Sequence, residues 1–176
     1  FQVMNIFPQY DESTGKFTPY KLKYNAEHYY SQNTDSEMIA EIIAQLNASG
    51  GVGVNLHLSN SENIVDNMTI VVACDNYDDN ENKGNANKHF YGHKATYAGD
   101  ERVDGNLVRD YNLVTEGGVF MGSGQSGLLI HEFLHTLGYQ DLYVGAGGSM
   151  PVGRWDIMAT ETYHVQYPLA YFRSRY

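Results

Sequence analysis

The stretch that most constrains this chain is HEFLHTLGYQD, residues 131–141. Positions four apart lie on one face of a helix, so His131 and His135 can direct both imidazoles at one point. Such a pair can bind Zn²⁺ at about 2.0–2.1 Å per nitrogen. Glu132 is rotated away from the first ligand and can reach a water molecule at the metal as a general base. The spacing therefore predicts the H-E-x-x-H arrangement of metal-assisted hydrolysis.

The residues after the second histidine predict a third ligand. Gly138 lies three residues after His135, where a helix can end on a residue with positive φ. The chain then reverses, and Asp141 can return its carboxylate to the metal. Two histidines on a helix also fit ordinary surface or core positions, but the apolar setting, the helix stop and the acid favour a metal site. Three protein ligands leave a fourth position for water, as in catalytic zinc sites.

Length and charge restrict the class of protein further. The 176 residues suit one domain over residues 1–176, and 42% hydrophobic content suffices for an ordinary core. A formal net charge of −10, with 11 Lys and Arg, argues against a nucleic-acid or anionic-membrane partner. No apolar run approaches the length of a transmembrane helix. The apolar start and the aromatic end suggest a segment of a larger protein.

The predicted elements alternate between strands and helices. The clearest helix starts at the capping pair Thr34 and Glu37, has an apolar face through Leu46, and ends at Gly50 and Gly51. MTIVVAC, residues 68–74, reads as a central strand covered on both faces. Asp104 and Gly105 signal a tight turn. Further strands are predicted at residues 1–7, 17–24, 53–58, 94–99 and 107–114.

A polar stretch rich in Asn and Asp follows the predicted central strand, from residue 75 to 94. A solvated loop is the default interpretation. A calcium site is the alternative, because the hard carboxylate oxygens of Asp75, Asp78 and Asp79 suit Ca²⁺, although the EF-hand spacing is absent. His89 and His93 are interpreted as structural residues.

Downstream of Asp141, the segment Trp155-Asp156-Ile157-Met158 closes a glycine-rich loop. Met158 can pack beneath the metal ligands as an apolar floor, or Met158 and Trp155 can be plain core residues. Tyr163 and His164 could each donate a hydrogen bond to the oxyanion of a tetrahedral intermediate. Surface or packing roles are equally compatible with both.

HEFLHTLGYQD followed by VGRWDIMAT resembles the M6 family of bacterial metallopeptidases, the immune-inhibitor-A type. The wider metzincin pattern has H-E-x-x-H-x-x-G-x-x-H and a Met-turn. Here the third ligand position holds Asp141, as in the M6 group. The segments ENIVDNMTIVVACDN, HFYGHK and YPLAYFRSRY are similar to other parts of that family.

The resemblance implies an α+β, metzincin-like zinc peptidase: a twisted, mostly parallel mixed sheet, a scaffold helix, and an active-site helix followed by a Met-turn. It implies zinc on His131, His135 and Asp141, Glu132 as general base, and Met158 as the Met-turn residue. It also implies a secreted or surface bacterial endopeptidase, often with structural calcium. The beginning of the family's catalytic domain is expected to lie before Phe1.

The sequence thus predicts a zinc endopeptidase acting on protein or peptide substrates. An extended substrate is expected to add to a sheet edge, near the strand ending at Thr115. One alternative keeps both histidines but takes Glu161 as third ligand, the thermolysin-like pattern. The other is a non-catalytic binding module on a metallopeptidase fold, against which the intact Glu132 argues.

Overall fold

A computed structural model describes residues 10–17, 19–30, 35–50, 63–73, 90–116, 119, 125–144, 151–159 and 166–174. They belong to two compact units, Phe1–Val65 with Ala98–Val108, and Asp66–Tyr97 with Arg109–Tyr176. Helices and mixed sheets make the described part α+β in the general sense. The metzincin-like arrangement and the single catalytic domain stay predictions. The strands predicted at 1–7 and 53–58 lie outside the described residues.

The first unit begins with an antiparallel pair, β1 (Tyr10–Asp11) and β2 (Lys16–Phe17). The strand predicted over residues 17–24 is wrong beyond Phe17, because residues 19–25 are not in a strand. Pro19 explains the difference: it lacks an N–H group for a strand ladder. Helices α1 (Ala26–Tyr30) and α2 (Asp35–Ala48) follow.

Helix α2 confirms the predicted scaffold helix. Its apolar face is buried, and Gly50 has a φ of 99° just beyond its end. A positive φ is the conformation in which glycine has no steric cost, so the sequence stops the helix at the expected place. The predicted capping residue Thr34 lies outside the described residues. The buried side chains of α2 are Met38, Ile39, Ile43 and Leu46.

The first unit also contains a small mixed sheet. Strand β7 (Asn106–Val108) lies between β3 (Ile64–Val65), with which it is parallel, and β6 (Arg102–Val103), with which it is antiparallel. Asp104 and Gly105 join β6 to β7 with φ values of 49° and 82°. Two consecutive positive φ values define the type I′ hairpin turn, which confirms the predicted tight turn.

The sheet of the second unit has the order β4 (Met68–Val72), β8 (Asp110–Thr115), β5 (His93–Thr96). Strand β8 pairs parallel with β4 and antiparallel with β5, and it is the buried strand. The prediction that residues 68–74 form the central strand is therefore wrong within the described sheet: β4 is an outer strand and Val71 is 49% exposed. The predicted substrate edge near Thr115 is also wrong, because β8 is the inner strand of this sheet: it pairs with β4 over residues 111–115 and with β5 over residues 110–113.

Helix α3 (Gln125–Thr136) packs beside β8 and β5. Gly92, just before β5, permits this close approach, because a Cβ there would lie 2.7 Å from Cδ1 of Leu128. A short helix, α4 (Ala170–Arg173), lies near the end of the described chain. None of the described helices combines the length and apolarity needed to cross a bilayer.

Candidate metal centre

The two histidines of α3 point to one place. The Nε2 atoms of His131 and His135 are 3.2 Å apart, and their rings meet edge to face. Asp141 completes the group: its Oδ1 lies 3.2 Å from Nε2 of His131 and 3.3 Å from Nε2 of His135. Within the described residues, this is the one group of three potential metal-ligating side chains that converge.

Two backbone carbonyls determine which nitrogen of each imidazole faces the centre. Nδ1 of His131 lies 2.8 Å from the Ile157 carbonyl oxygen, and Nδ1 of His135 lies 2.8 Å from that of Tyr139. A carbonyl oxygen only accepts, so both Nδ1 atoms must carry the proton. In neutral imidazoles, both Nε2 atoms then present lone pairs to each other and to the Asp141 carboxylate. Such an arrangement of three acceptors is favourable when a cation lies among them.

The spacing of these three atoms fits zinc. A tetrahedral ion with bonds of about 2.0–2.1 Å holds its ligand atoms about 3.3–3.4 Å apart. The three measured separations are 3.2, 3.2 and 3.3 Å. Two imidazole nitrogens and one carboxylate oxygen also form a donor set that Zn²⁺ accepts readily. Among the described residues three side chains converge, an arrangement that leaves one tetrahedral position for a further ligand, as catalytic zinc sites do.

The end of α3 brings Asp141 back toward the histidines. The Tyr139 N–H donates to the Leu134 carbonyl over 3.1 Å, and the Gly138 N–H donates to that of His135 over 3.0 Å. Together with a φ of 90° at Gly138, these bonds form a Schellman motif. Tyr139 belongs to a buried apolar cluster against which Leu134 packs, in keeping with the apolar contact that accompanies this motif. The predicted helix stop at Gly138 is confirmed.

The segment around Met158 contacts the parts of the chain that carry the ligands. Met158 and Ile157 are fully buried and pack with Tyr139. The Met158 carbonyl accepts a hydrogen bond from the Leu142 N–H over 2.8 Å, next to Asp141 in sequence. Met158 is therefore a core residue in contact with the parts of the chain that orient the ligands. Trp155 is 82% exposed, so the alternative interpretation of Trp155 as a core residue is wrong.

Asp156 is a further functional candidate, to which the sequence analysis assigned no role. Its side chain is fully buried and accepts two backbone hydrogen bonds, from the N–H groups of Met158 and Leu169. The only sequence signal was an acid between two apolar residues of the Trp155–Met158 segment. Such a position predicts burial, but the partners of the carboxylate are backbone groups that no sequence motif records.

Glu132 is buried beside the ligands, with 6% of its surface exposed. Burial raises the pKa of its carboxyl group above the usual range, and the neighbouring imidazoles of His131 and His135 oppose that shift. A carboxylate with a raised pKa is a better proton acceptor close to neutral pH. The environment of Glu132 therefore suits a general base.

His93, interpreted from the sequence as structural, is not one of the converging ligands, although its imidazole also opposes the raised pKa of Glu132. Nδ1 of His93, in β5, donates to the Tyr91 carbonyl over 3.0 Å, and its ring meets Tyr111 edge to face. The remaining candidates lie outside the described residues: Asp75, Asp78 and Asp79 for calcium, His89, Glu161 as alternative ligand, and Tyr163 and His164 as oxyanion donors.

Neither a protein-family model, nor a curated protein, nor a solved structure matches this chain.

Proposed function

We propose that this protein is a zinc-dependent endopeptidase. The observation that carries the proposal is the convergence of His131, His135 and Asp141 on one point, with separations that match tetrahedral zinc. Glu132 adds an acid that is buried beside the ligands and is not one of them. A structural zinc site is usually closed by four protein ligands, so three ligands and an adjacent acid favour catalysis.

The side chains of this centre have separate roles in the proposed reaction. When bound, zinc acts as a Lewis acid that polarises a carbonyl oxygen and makes a coordinated water more acidic. Glu132 accepts a proton from the attacking water and transfers it to the leaving amine. The backbone carbonyls of Ile157 and Tyr139 hold both imidazoles in the tautomer that leaves Nε2 available.

Asp141 is the better candidate than Glu161 for the third ligand. Its Oδ1 lies within 3.3 Å of both Nε2 atoms, and its side chain is 37% exposed. Asp141 is the most exposed of the three ligands, and we expect a substrate to approach from its side. This contact supports the Asp-ligated pattern of the M6 resemblance over the thermolysin-like one.

A peptide substrate fits the arrangement of sheet and helix. Strand β5 is an outer strand of the described sheet and packs beside α3, which carries both histidines. An extended peptide can align along an outer strand through main-chain hydrogen bonds, with side-chain pockets providing specificity. We therefore place the substrate along β5, in place of the predicted edge near Thr115.

Metal analysis combined with a cleavage assay tests the proposal. The purified chain is expected to retain one zinc per molecule and to cut an unfolded protein substrate. Glu132→Gln is expected to keep the zinc and to lower kcat/KM by about 10²- to 10⁴-fold, because it removes the proton acceptor. Asp141→Ala is expected to lose zinc. Glu37→Gln, in α2, is the matched control and should change neither property.

Two results would overturn the proposal in different ways. Wild-type protein that binds no zinc would remove the metal centre altogether. Wild-type protein that holds zinc and cuts no peptide bond in any unfolded substrate would favour the binding module. If Asp141→Ala retains zinc and Glu161→Ala loses it, Glu161 would be the third ligand in place of Asp141, and the proposed activity would stand.

A further inference from the structure

Both carboxylate oxygens of the buried Asp156 accept hydrogen bonds from backbone N–H groups. Oδ1 accepts from the Met158 N–H over 2.7 Å, and Oδ2 accepts from the Leu169 N–H over 2.5 Å. Its own carbonyl accepts from the Ala159 N–H over 3.0 Å. One side chain thus closes the turn at residues 156–159 and ties it to the segment that leads into α4.

The same turn supplies two acceptors to the metal centre. The Ile157 carbonyl receives the Nδ1 proton of His131, and the Met158 carbonyl receives the Leu142 N–H, each over 2.8 Å. Leu142 follows the predicted ligand Asp141 directly. The orientation of two ligands therefore depends on the position of two carbonyls that belong to one turn.

A carboxylate suits this position better than any neutral residue of the same size. It accepts at both oxygens, and hydrogen bonds to an ionised acceptor are about twice as strong as neutral ones. An amide would present an NH₂ group to one of the two donors and leave a buried N–H unpaired. An apolar residue would leave both unpaired, and buried groups without partners are costly.

We propose that Asp156 is a positioning residue of the metal centre. By holding the N–H groups of Met158 and Leu169, it fixes the turn whose Ile157 carbonyl orients His131 and selects its Nε2 for the metal. The inference rests on the proposed function, because it assigns Asp156 to the support of a zinc ligand. Groups that hold a metal ligand in place typically contribute about 10- to 100-fold to metal affinity or activity.

Zinc affinity, measured by competition with a chelator, is the primary test. Asp156→Asn and Asp156→Ser are each expected to weaken zinc binding about 10- to 100-fold. Ile43→Ala, in α2, is the control for lost stability alone, because its buried side chain lies in the other unit. It should lower the thermal midpoint and leave zinc affinity unchanged.

Two further measurements distinguish positioning from simple stabilisation. Cobalt substituted for zinc should give a changed visible spectrum in Asp156→Asn, because its bands report the geometry of the ligands. In the wild-type protein, removal of zinc should accelerate hydrogen exchange at the Met158 and Leu169 amides. Coupling between two sites is reciprocal: a turn that strengthens zinc binding must itself be stabilised by zinc. This experiment needs no variant to fold.

The outcomes separate this inference from the proposed function. Wild-type protein that binds zinc and cuts peptides, with zinc affinity and cobalt spectrum unchanged in Asp156→Asn, would overturn the role of Asp156 alone. Exchange at both amides that is indifferent to zinc would overturn it as well. Failure of the wild type to bind zinc would overturn the proposed function, and this inference with it.

Discussion

Helices α2 and α3 are built by similar local rules and bury very different side chains. Each ends just before a glycine with positive φ, Gly50 after α2 and Gly138 after α3. The buried face of α2 consists of aliphatic residues and methionine, whereas α3 buries His131 and Glu132. Start and stop signals thus determine where a helix forms. The residue types on its buried face determine whether it packs in the core or carries site residues.

The buried face of α3 contains polar groups that need hydrogen-bond partners, whereas the apolar buried face of α2 does not. A buried polar group is costly unless it is hydrogen-bonded, and the imidazole of His131 meets this need through the Ile157 carbonyl. Glu132 is less well compensated, because burial raises its pKa. Helix α2 needs no ligand for its buried face, whereas under the proposed function we expect α3 to gain stability when zinc binds among the three acceptors.

Truncation of the apolar face of α2 should give the largest change in stability. Met38→Ala is expected to lower the free energy of unfolding by about 2–5 kcal/mol, because Met38 is fully buried and the change leaves a cavity. Hydrogen exchange of the α2 amides measures the loss. Zinc affinity should not change. A loss of zinc affinity in Met38→Ala would show that α2 also supports the metal centre, contrary to this comparison.

Zinc should stabilise α3 by a comparable amount. At a free zinc concentration 100 times Kd, a ligand that binds only the folded state contributes about 2.7 kcal/mol. Exchange of the α3 amides should therefore slow about 100-fold. His135→Ala should abolish the effect. An equal zinc response in His135→Ala would show that the stabilisation comes from another site.

The two glycines provide a matched pair of smaller changes. Alanine at either position must adopt a positive φ, which costs about 1–2 kcal/mol. Gly50→Ala meets no neighbouring atom and should affect stability alone. Gly138→Ala should also weaken zinc binding, because it disturbs the turn whose Tyr139 carbonyl orients His135. Titration of both variants with zinc measures the difference, and equal affinities would contradict it.

Glu132→Gln should give the smallest change, and a stabilising one. The folded pKa of Glu132 is raised, so the unfolded chain loses this proton at lower pH than the folded chain. Stability of the metal-free protein then falls as pH rises through that interval, and the cost is fully present above the folded pKa. Glutamine at position 132 has no charge and therefore avoids this cost in free energy of unfolding.

Thermal midpoints of metal-free Glu132→Gln and wild type should therefore agree near pH 4 and diverge as the pH rises toward 7, with the variant the more stable. The exposed Glu37→Gln should track the wild type throughout, because exposed ion pairs contribute little. Midpoints that stay equal at pH 7 would mean that burial of Glu132 has no cost.

Local signals predicted the elements that local physics controls. The i, i+4 spacing of His131 and His135, the glycine stop at Gly138 and the apolar face of α2 depend only on helix geometry, and the structure contains all three. The Asp104–Gly105 turn belongs to the same group, because type I′ geometry requires two residues that tolerate positive φ.

Pairing between distant segments could not be predicted in the same way. The apolar run at residues 68–74 predicted a central strand, but in the described three-stranded sheet β8 occupies that position. An apolar pattern reports burial and not the neighbour that provides it. The run at residues 107–114 was predicted as one strand, whereas β7 and β8 are separated at Arg109 and belong to different sheets.

Support of the metal centre was the part least visible in the sequence. The acceptors for both imidazoles are main-chain carbonyls, which every residue has, so no residue type marks them. Within the described residues, the hydrogen-bond donors to the Asp156 carboxylate are main-chain N–H groups two and 13 positions away. Only the folded geometry identifies these contacts.

The use of carbonyls at Ile157 and Tyr139 separates chemical function from side-chain identity. A homologous chain could carry another apolar residue at either position and still present an oxygen at the same place, provided the backbone path is kept. Substitutions there would be limited by volume and by φ, while substitutions of the histidines would be limited by chemistry. The candidate centre can thus tolerate substitution at the two positions that contribute carbonyls while its three ligand side chains stay the same.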